Sequence, residues 1–432
     1  MNNIEKLKYD SINETVYNYR HSSGLMVSIV PKKGFNKMYA AIAVDYGSID
    51  SHFIVPGESE ITHVPDGVAH FLEHKLFEQK DGSVMDKFAV LGSSPNAFTS
   101  FNQTAYLFSC TENFDQNLNL LLDYVQNPYI TEESVEKEKG IISQEIDMYE
   151  DNPGWKVYYN LLKSFYKSNS VKKEIAGTRE SISKINREIL YKCYNTFYHP
   201  SNMILTIAGD VNVEEIIESV ERLIKTNKAV GKIERIYSIE PKELEREYIE
   251  AKMPVAMPIT YFGFKENEML ATSNDYMKNE VMLKIAMELL IGRSSDLYNK
   301  LYNKGLINSE FSMDYSMERA YSYSIFGGET QNPQVLKEEI LSHLDIVRRD
   351  GFKEDEFERI RRSMKGKHLK MLDSVDRIVR SLMSNYFKGY NAFDYFAVYD
   401  KIDLIQLNQI FLRHYKNDSF AMSVVQPMNG GL

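Results

Sequence analysis

Two cysteines, Cys110 and Cys193, in a chain of 432 residues are too few and too far apart to build a disulfide framework. They read as reduced core thiols, and the expected compartment is the cytoplasm. No apolar run approaches the roughly 20 residues of a membrane-spanning helix. The opening segment, MNNIEKLKYDSINETVYNYR, mixes charged and polar groups from its start and is not expected to be a secretory leader. With 12 prolines and 22 glycines the composition is not that of a disordered chain. Basic residues are outnumbered, 51 against 61 acidic, and gather into no patch interleaved with aromatics, so neither nucleic acid nor a membrane is an expected partner. What is present, 43% hydrophobic and 26% charged residues, suffices for a globular protein of two domains.

The chain repeats itself. YNTFYHPSNMILTIAGDV (194–211) resembles FLRHYKNDSFAMSVVQPM (411–428), each an aromatic-basic helix end, a polar turn and a strand. Upstream, YITEESVEKEKGIISQE (129–145) parallels GFKEDEFERIRRSMKGK (351–367), an acidic helix start followed by a charged amphipathic run. The order is preserved. Each half also carries alternating runs suited to strands, 38–47 and 104–110 in the first, 258–264 and 321–328 in the second, with helical patterns such as 114–127 and 280–292 between them. The expectation is an α+β fold of two homologous halves, each an antiparallel sheet with helices packed on one face. The halves are placed at 1–230 and 240–432, with a connector over 226–243 where apolar periodicity lapses.

The sharpest local feature is DGVAHFLEHKLFE, with His70, Glu73 and His74 in a segment whose Ala69, Phe71, Leu72, Leu76 and Phe77 suit a buried helix, and Asp66 is placed to cap its start. At about 100° per residue, His74 sits about 40° from His70 and Glu73 about 60° the other way, so all three share one face. Two imidazoles one turn apart can both reach a zinc ion, and a carboxylate beside them can reach its water. Any one of these histidines alone would read as a satisfied core residue. A catalytic zinc ordinarily needs a third protein ligand. Glu138 and Glu145, seven residues apart in SVEKEKGIISQEIDMYEDNP, project from nearly one stripe, while Val135, Ile141, Ile142 and Ile146 mark a buried face. A solvated helix face is the other reading of such an acidic run, and it suits Glu136, Glu150 and Asp151 better than Glu145.

With HxxEH the chain resembles the inverzincins, specifically a pitrilysin/insulysin-type metallopeptidase of the short kind that includes mitochondrial processing peptidase subunits and bacterial zinc proteases. The resemblance runs through GVAHFLEHKLFE, NAFTSFNQTAYLF, EKEKGIISQEI, GTRESISKI and FYHPSNMILTIAGDV. It implies that His70, His74 and Glu145 bind zinc, that Glu73 is the general base, and that Glu138 supports the metal without binding it. It also implies that Asn96, Ala97, Phe98 and Thr99 form an edge strand along which substrate lies, held by main-chain hydrogen bonds. The same stretch could be an ordinary edge strand.

The second half lacks this chemistry. DLYNKLYNKGL (296–306) aligns with the HxxEH segment but has neither histidine nor glutamate, and Lys367 aligns with Glu145. Tyr302 stands where family members place a substrate-gripping arginine. The expected function is therefore a zinc-dependent endopeptidase for peptides or unfolded segments in an enclosed chamber, paired with a zinc-less paralogue as a heterodimer or, failing that, with itself. The competing reading is a non-catalytic peptide-binding or scaffold subunit of the same family, against which the intact His70, Glu73, His74 and Glu145 argue.

Overall fold

The computed structural model describes residues 4–225, 231–266 and 273–428. Two strands, β1 (Ile4–Tyr9) and β2 (Glu14–Arg20), come first. The principal elements of the first copy are β3 (Met26–Pro31), β4 (Met38–Val44), α1 (Val68–Leu76), β5 (Ser94–Thr99), β6 (Thr104–Cys110), α2 (Phe114–Gln126), α3 (Glu132–Glu150), α4 (Pro153–Phe165), α5 (Arg187–Phe197) and β7 (Met203–Gly209). Those of the second are β8 (Tyr248–Met253), β9 (Ile259–Lys265), α6 (Ser273–Ile291), α7 (Asp296–Asn303), β10 (Ser312–Met317), β11 (Ser322–Glu329), α8 (Pro333–Asp350), α9 (Glu354–Leu369), α10 (Val375–Tyr386), α11 (Leu404–His414) and β12 (Phe420–Pro427). Both expected repeat pairs recur as structure: α5 and β7 answer α11 and β12, and α3 answers α9.

The sheets repeat as well. The first runs β1-β2-β3-β7-β4-β6-β5 and the second β8-β12-β9-β11-β10, so the last five strands of the first match the whole of the second. Each sheet is antiparallel except for one pair, β3 with β7 and β8 with β12, the first and last strands of each copy. Such a parallel pair needs a long connection, which the intervening helices supply.

By contacts the chain divides into two compact units, one of Met1–Ile146, Glu174–Tyr237 and Leu369–Phe393, the other of Asp147–Lys173, Ser238–His368 and Asp394–Leu432. The division 1–230 and 240–432 follows the repeat; packing follows a different rule, because α4 is grouped with the second sheet and α10 with the first. In the first unit α10 lies against β4 and β7, and β7 is buried at every position, as a strand covered on both faces must be. In the second unit α4 lies against β8, β9 and β12, with Val157, Met253 and Val425 forming a core cluster. Gly263 in β9 allows this approach: a Cβ there would meet Phe165 Cζ at 2.8 Å and the Ser324 carbonyl oxygen at 2.3 Å. Of the connector expected at 226–243, residues 226–230 lie outside the described residues. Its later part is anchored: Tyr237 donates to Asp50 at 2.7 Å within the first unit, and Glu240 accepts the backbone N–H groups of Lys167, Ser168 and Asn169 at 2.8–2.9 Å within the second. Among the described residues no helix is long and apolar enough to cross a membrane. Cys110 and Cys193 are both buried and free.

Candidate metal centre

Helix α1 is buried at eight of its nine positions, His74 being the exception. Its start differs from the expectation: the N-cap is Gly67, with φ 97° and no side-chain cap, rather than Asp66. The reason is steric. A Cβ on Gly67 would lie 2.5 Å from the Ala176 carbonyl oxygen, and one on Gly177 2.5 Å from that of Asp66, so two glycines let the 66–67 and 176–177 segments pack together. Ser181 donates to the Asp66 carbonyl at 2.8 Å and closes the same contact. Beneath α1 lie the buried phenols Tyr106, Tyr124 and Tyr198, with Tyr106 and Tyr198 hydroxyls 2.8 Å apart. Burial pushes all three phenols up, and the charge of Glu73 adds to it.

Helix α3 presents its glutamates to α1. Val135, Ile142 and Ile146 are buried as expected, whereas Ile141 is 45% exposed, because at about 60° from Glu138 and about 100° from Ile142 it falls at the outer margin of that face. Glu145 reaches both histidines: its Oε1 is 3.6 Å from His70 Nε2 and its Oε2 3.6 Å from His74 Nε2. The donor atoms of His70, His74 and Glu145 all lie within 4.8 Å of one another, and among the described residues this is the only such group of three. Ligands about 2.0–2.1 Å from one tetrahedral zinc stand about 3.3 Å apart, so this donor set fits the ion with little adjustment.

The surroundings fit as well. Glu138 Oε1 is 2.9 Å from His74 Nδ1, which leaves Nε2 to face Glu145, the carboxylate-to-histidine arrangement that orients metal ligands. His70 Nδ1 is buried and has no such hydrogen bond. Burial opposes the charged form of His74, but the bonded Glu138 and the nearby Glu73 and Glu145 outweigh it and hold the imidazole above its ordinary value. Burial would raise Glu138, yet His74 and then Lys75 hold it below the usual carboxylate range. The cluster thus favours positive charge, which a divalent cation supplies as well as a proton does.

Glu73 stands beside the donor set without joining it. Thr99 donates to its Oε2 at 2.6 Å, which ties the proposed base to strand β5. That strand is the outer edge of its sheet, paired on one side only with β6. Asn96 is exposed and its Oδ1 accepts the Ala97 N–H at 2.8 Å, while Phe98 lies beneath the guanidinium of Arg380, 5.2 Å from the ring centroid. All nine residues singled out in the sequence therefore lie in α1, α3 and β5 of one unit.

Lys75 went unread. Its side chain is fully buried, pairs with Glu78, donates to the Ser134 carbonyl at 3.3 Å and lies 3.8 Å from Glu138 Oε2. The signal is a lysine next to the apolar Leu72 and Leu76 of α1, since a lysine is rarely buried without a partner.

In the second unit the helix that follows β9 is α6, and Lys367 Nζ of α9 is 2.7 Å from its Glu288 Oε1. Helix α7, the segment expected to align with the HxxEH stretch, instead lies directly before β10 and carries neither histidine nor glutamate. Tyr302 is 52% exposed.

Two family models match the chain. Residues 59–179 match the family model described as Insulinase (Peptidase family M16), and residues 184–364 the model described as Peptidase M16 inactive domain. The chain is 42% identical to the uncharacterized zinc protease YmfH of Bacillus subtilis, over 98% of this chain and 99% of that one. A crystal structure described as M16-like, from Alicyclobacillus acidocaldarius, superposes with a TM-score of 0.93 at 37% identity, covering 98% of this chain and 99% of that one. The mitochondrial-processing peptidase subunit beta of Bos taurus is 32% identical over 158 residues, 35% of this chain and 32% of its own length. By these matches the chain belongs to the insulinase family, peptidase family M16.

Proposed function

We propose that the protein is a zinc-dependent endopeptidase acting on peptides or unfolded protein segments, as the catalytic member of a pair. The observation that carries this reading is the convergence of His70, His74 and Glu145 beside a glutamate tied to an edge strand. His70 and His74 would hold the metal through Nε2 and Glu145 through its carboxylate. When bound, zinc polarises a carbonyl and acidifies water. Glu73 takes the proton of the attacking water and returns it to the departing amine. Thr99, donating to Oε2, fixes the rotamer of Glu73 and leaves its other oxygen for that exchange. Strand β5 offers a free edge to an extended peptide, which suits unfolded segments and tolerates many sequences. The Ala97 N–H, now satisfied by the Asn96 side chain, is a donor that an incoming peptide carbonyl could take over.

The metal-free second copy supports a partner-dependent enzyme, since the arginine expected near Tyr302 is missing. One similar protein is named as a subunit, which fits a zinc-less paralogue or a second copy of this chain as the partner. Free buried thiols fit a cytoplasmic setting. The test joins zinc content by elemental analysis to cleavage of a mixed peptide library with and without chelator, with mass in solution by light scattering. Stoichiometric zinc with chelator-sensitive cleavage supports the reading; a zinc-loaded protein that cleaves nothing, alone or with a zinc-less paralogue, overturns it. Full activity as an isolated monomer overturns the pairing alone.

A further inference from the structure

Helix α10 comes from the second copy of the repeat yet packs on the first sheet, and it brings Arg380 to the edge strand. Arg380 is held from three elements at once. Its Nε donates to Asp376 Oδ1 at 2.8 Å within α10, its Nη2 donates to the Tyr39 hydroxyl at 3.2 Å in β4, and its Cζ lies 5.2 Å from the ring centroid of Phe98 in β5. The side chain nevertheless stays 41% exposed. A guanidinium carries five N–H donors in a planar fork, so this arrangement leaves donors to spare. Lys37 adds a second cation, with Nζ 5.8 Å from the Tyr39 ring, against the one carboxylate of Asp376.

Position along the strand gives this cation a use. Neighbouring residues of a strand point to opposite faces. Thr99 takes the face of Glu73, so Phe98 and Arg380 occupy the other. A peptide laid along β5 would turn alternate side chains towards each.

We propose that Arg380 is a specificity-determining residue that binds a carboxylate side chain of a peptide substrate on the Phe98 face of β5. Its guanidinium is preorganised by Asp376, Tyr39 and Phe98, so little rotamer freedom remains to be lost on binding. The assignment rests on the reading of β5 as the substrate edge.

The experiment uses the full-length, zinc-loaded protein and ten-residue peptides in which one glutamate is moved through every position of a neutral background, each paired with its glutamine isostere. The wild type should favour glutamate over glutamine roughly tenfold in kcat/KM at one or more alternate positions about the cut, the scale of one charge-assisted hydrogen bond. In Arg380→Gln that ratio should collapse towards one, and in Arg380→Lys, which keeps the charge and guards against misfolding, part of it should survive. Equal cleavage of glutamate and glutamine peptides by the wild type overturns the assignment. So does an Arg380→Gln variant that loses the same factor on both. Anisotropy of the same peptides, fluorescently labelled, on Glu73→Gln with and without Arg380→Gln separates this from the peptidase reading. If nothing is cleaved but glutamate peptides bind roughly tenfold tighter through Arg380, the peptidase reading fails and the assignment stands. Binding without charge preference, or no binding, overturns the assignment.

Discussion

In the first copy, α1 sets His70, Glu73 and His74 against Glu145 of α3; in the second, α6 meets α9 through Glu288 paired with Lys367. Around these sites the two copies build the same five-strand order with the same single parallel pair. The second copy builds this sheet without the His70, His74 and Glu145 donor set, so the donor set is an addition to a scaffold that the two copies share. The two environments also treat histidine oppositely. His74, among three glutamates, is held above its ordinary value, whereas His368, enclosed by the tilted or edge-on rings of Tyr395, Phe396 and Tyr399, is pushed down by burial, then by Lys284, to about 4.

The largest effect should come from making the first copy like the second. Glu145→Lys places an ammonium where a ligand stood, and zinc should fall from about one per chain to background, with peptide cleavage lost completely. The apparent Tm should stay within a few degrees of the metal-free wild type, since Glu145 is on no core face; a protein that unfolds instead would tie the metal site to the fold. Next is Glu73→Gln, which removes the proton carrier and leaves the three donors in place. Activity should drop by about 10²–10⁴ with zinc content unchanged. Near-normal turnover in a zinc-loaded Glu73→Gln preparation would contradict the role of Glu73.

The histidine contrast yields a stability effect. The folded-state pKa of His368 is about 4, below its unfolded value near 6.5, so the native state resists a proton that the unfolded state accepts. The contribution is intact above pH 6.5, declines as pH falls through the window to 4, and levels off below it. Its full size is about 3 kcal/mol. Urea unfolding at pH 7, 5.5 and 4 should show His368→Phe losing less stability than wild type across that window, and parallel curves would sink the argument. Smaller again, Glu138→Gln removes the carboxylate that orients His74, and zinc affinity should fall about 10–100-fold with the fold intact, read by competition with a chromogenic chelator.

How much of this was legible in the sequence follows from what kind of signal each feature leaves. The repeat was visible because helix end, polar turn and strand recur in order, and α5–β7 and α11–β12 realise that recurrence. The donor set was visible because spacing on a helix fixes which side chains share a face, as for His70 with His74 and Glu138 with Glu145. The exchange of α4 and α10 was not: an amphipathic helix declares that it needs a sheet to cover, not which sheet. Arg380 was invisible for the same reason, since its partners Tyr39 and Phe98 lie more than 280 residues away in the chain. Ile141 was misjudged because an apolar residue on a mixed helix need not face inward. Asp66 was misjudged because a side-chain cap is local chemistry, while the Gly67 start answers a contact with Ala176 that only the folded chain makes.

That contact gives the smallest prediction, read from one positive-φ glycine in each copy. Gly67 precedes α1 with φ 97°, and a Cβ there would lie 2.5 Å from a backbone oxygen; Gly305 follows α7 with φ 66°, and nothing lies within 4 Å of its added Cβ. Both positions disfavour an L side chain, at a cost of about 1–2 kcal/mol. Only Gly67 adds a clash with backbone that cannot swing aside, worth about a further 1–2 kcal/mol. Gly67→Ala should therefore lower the unfolding midpoint visibly more than Gly305→Ala, measured side by side on metal-free protein so that altered zinc binding cannot account for the gap. Equal losses would mean that backbone conformation alone selects glycine at the start of α1, and that the 66–67 and 176–177 segments do not need their close approach.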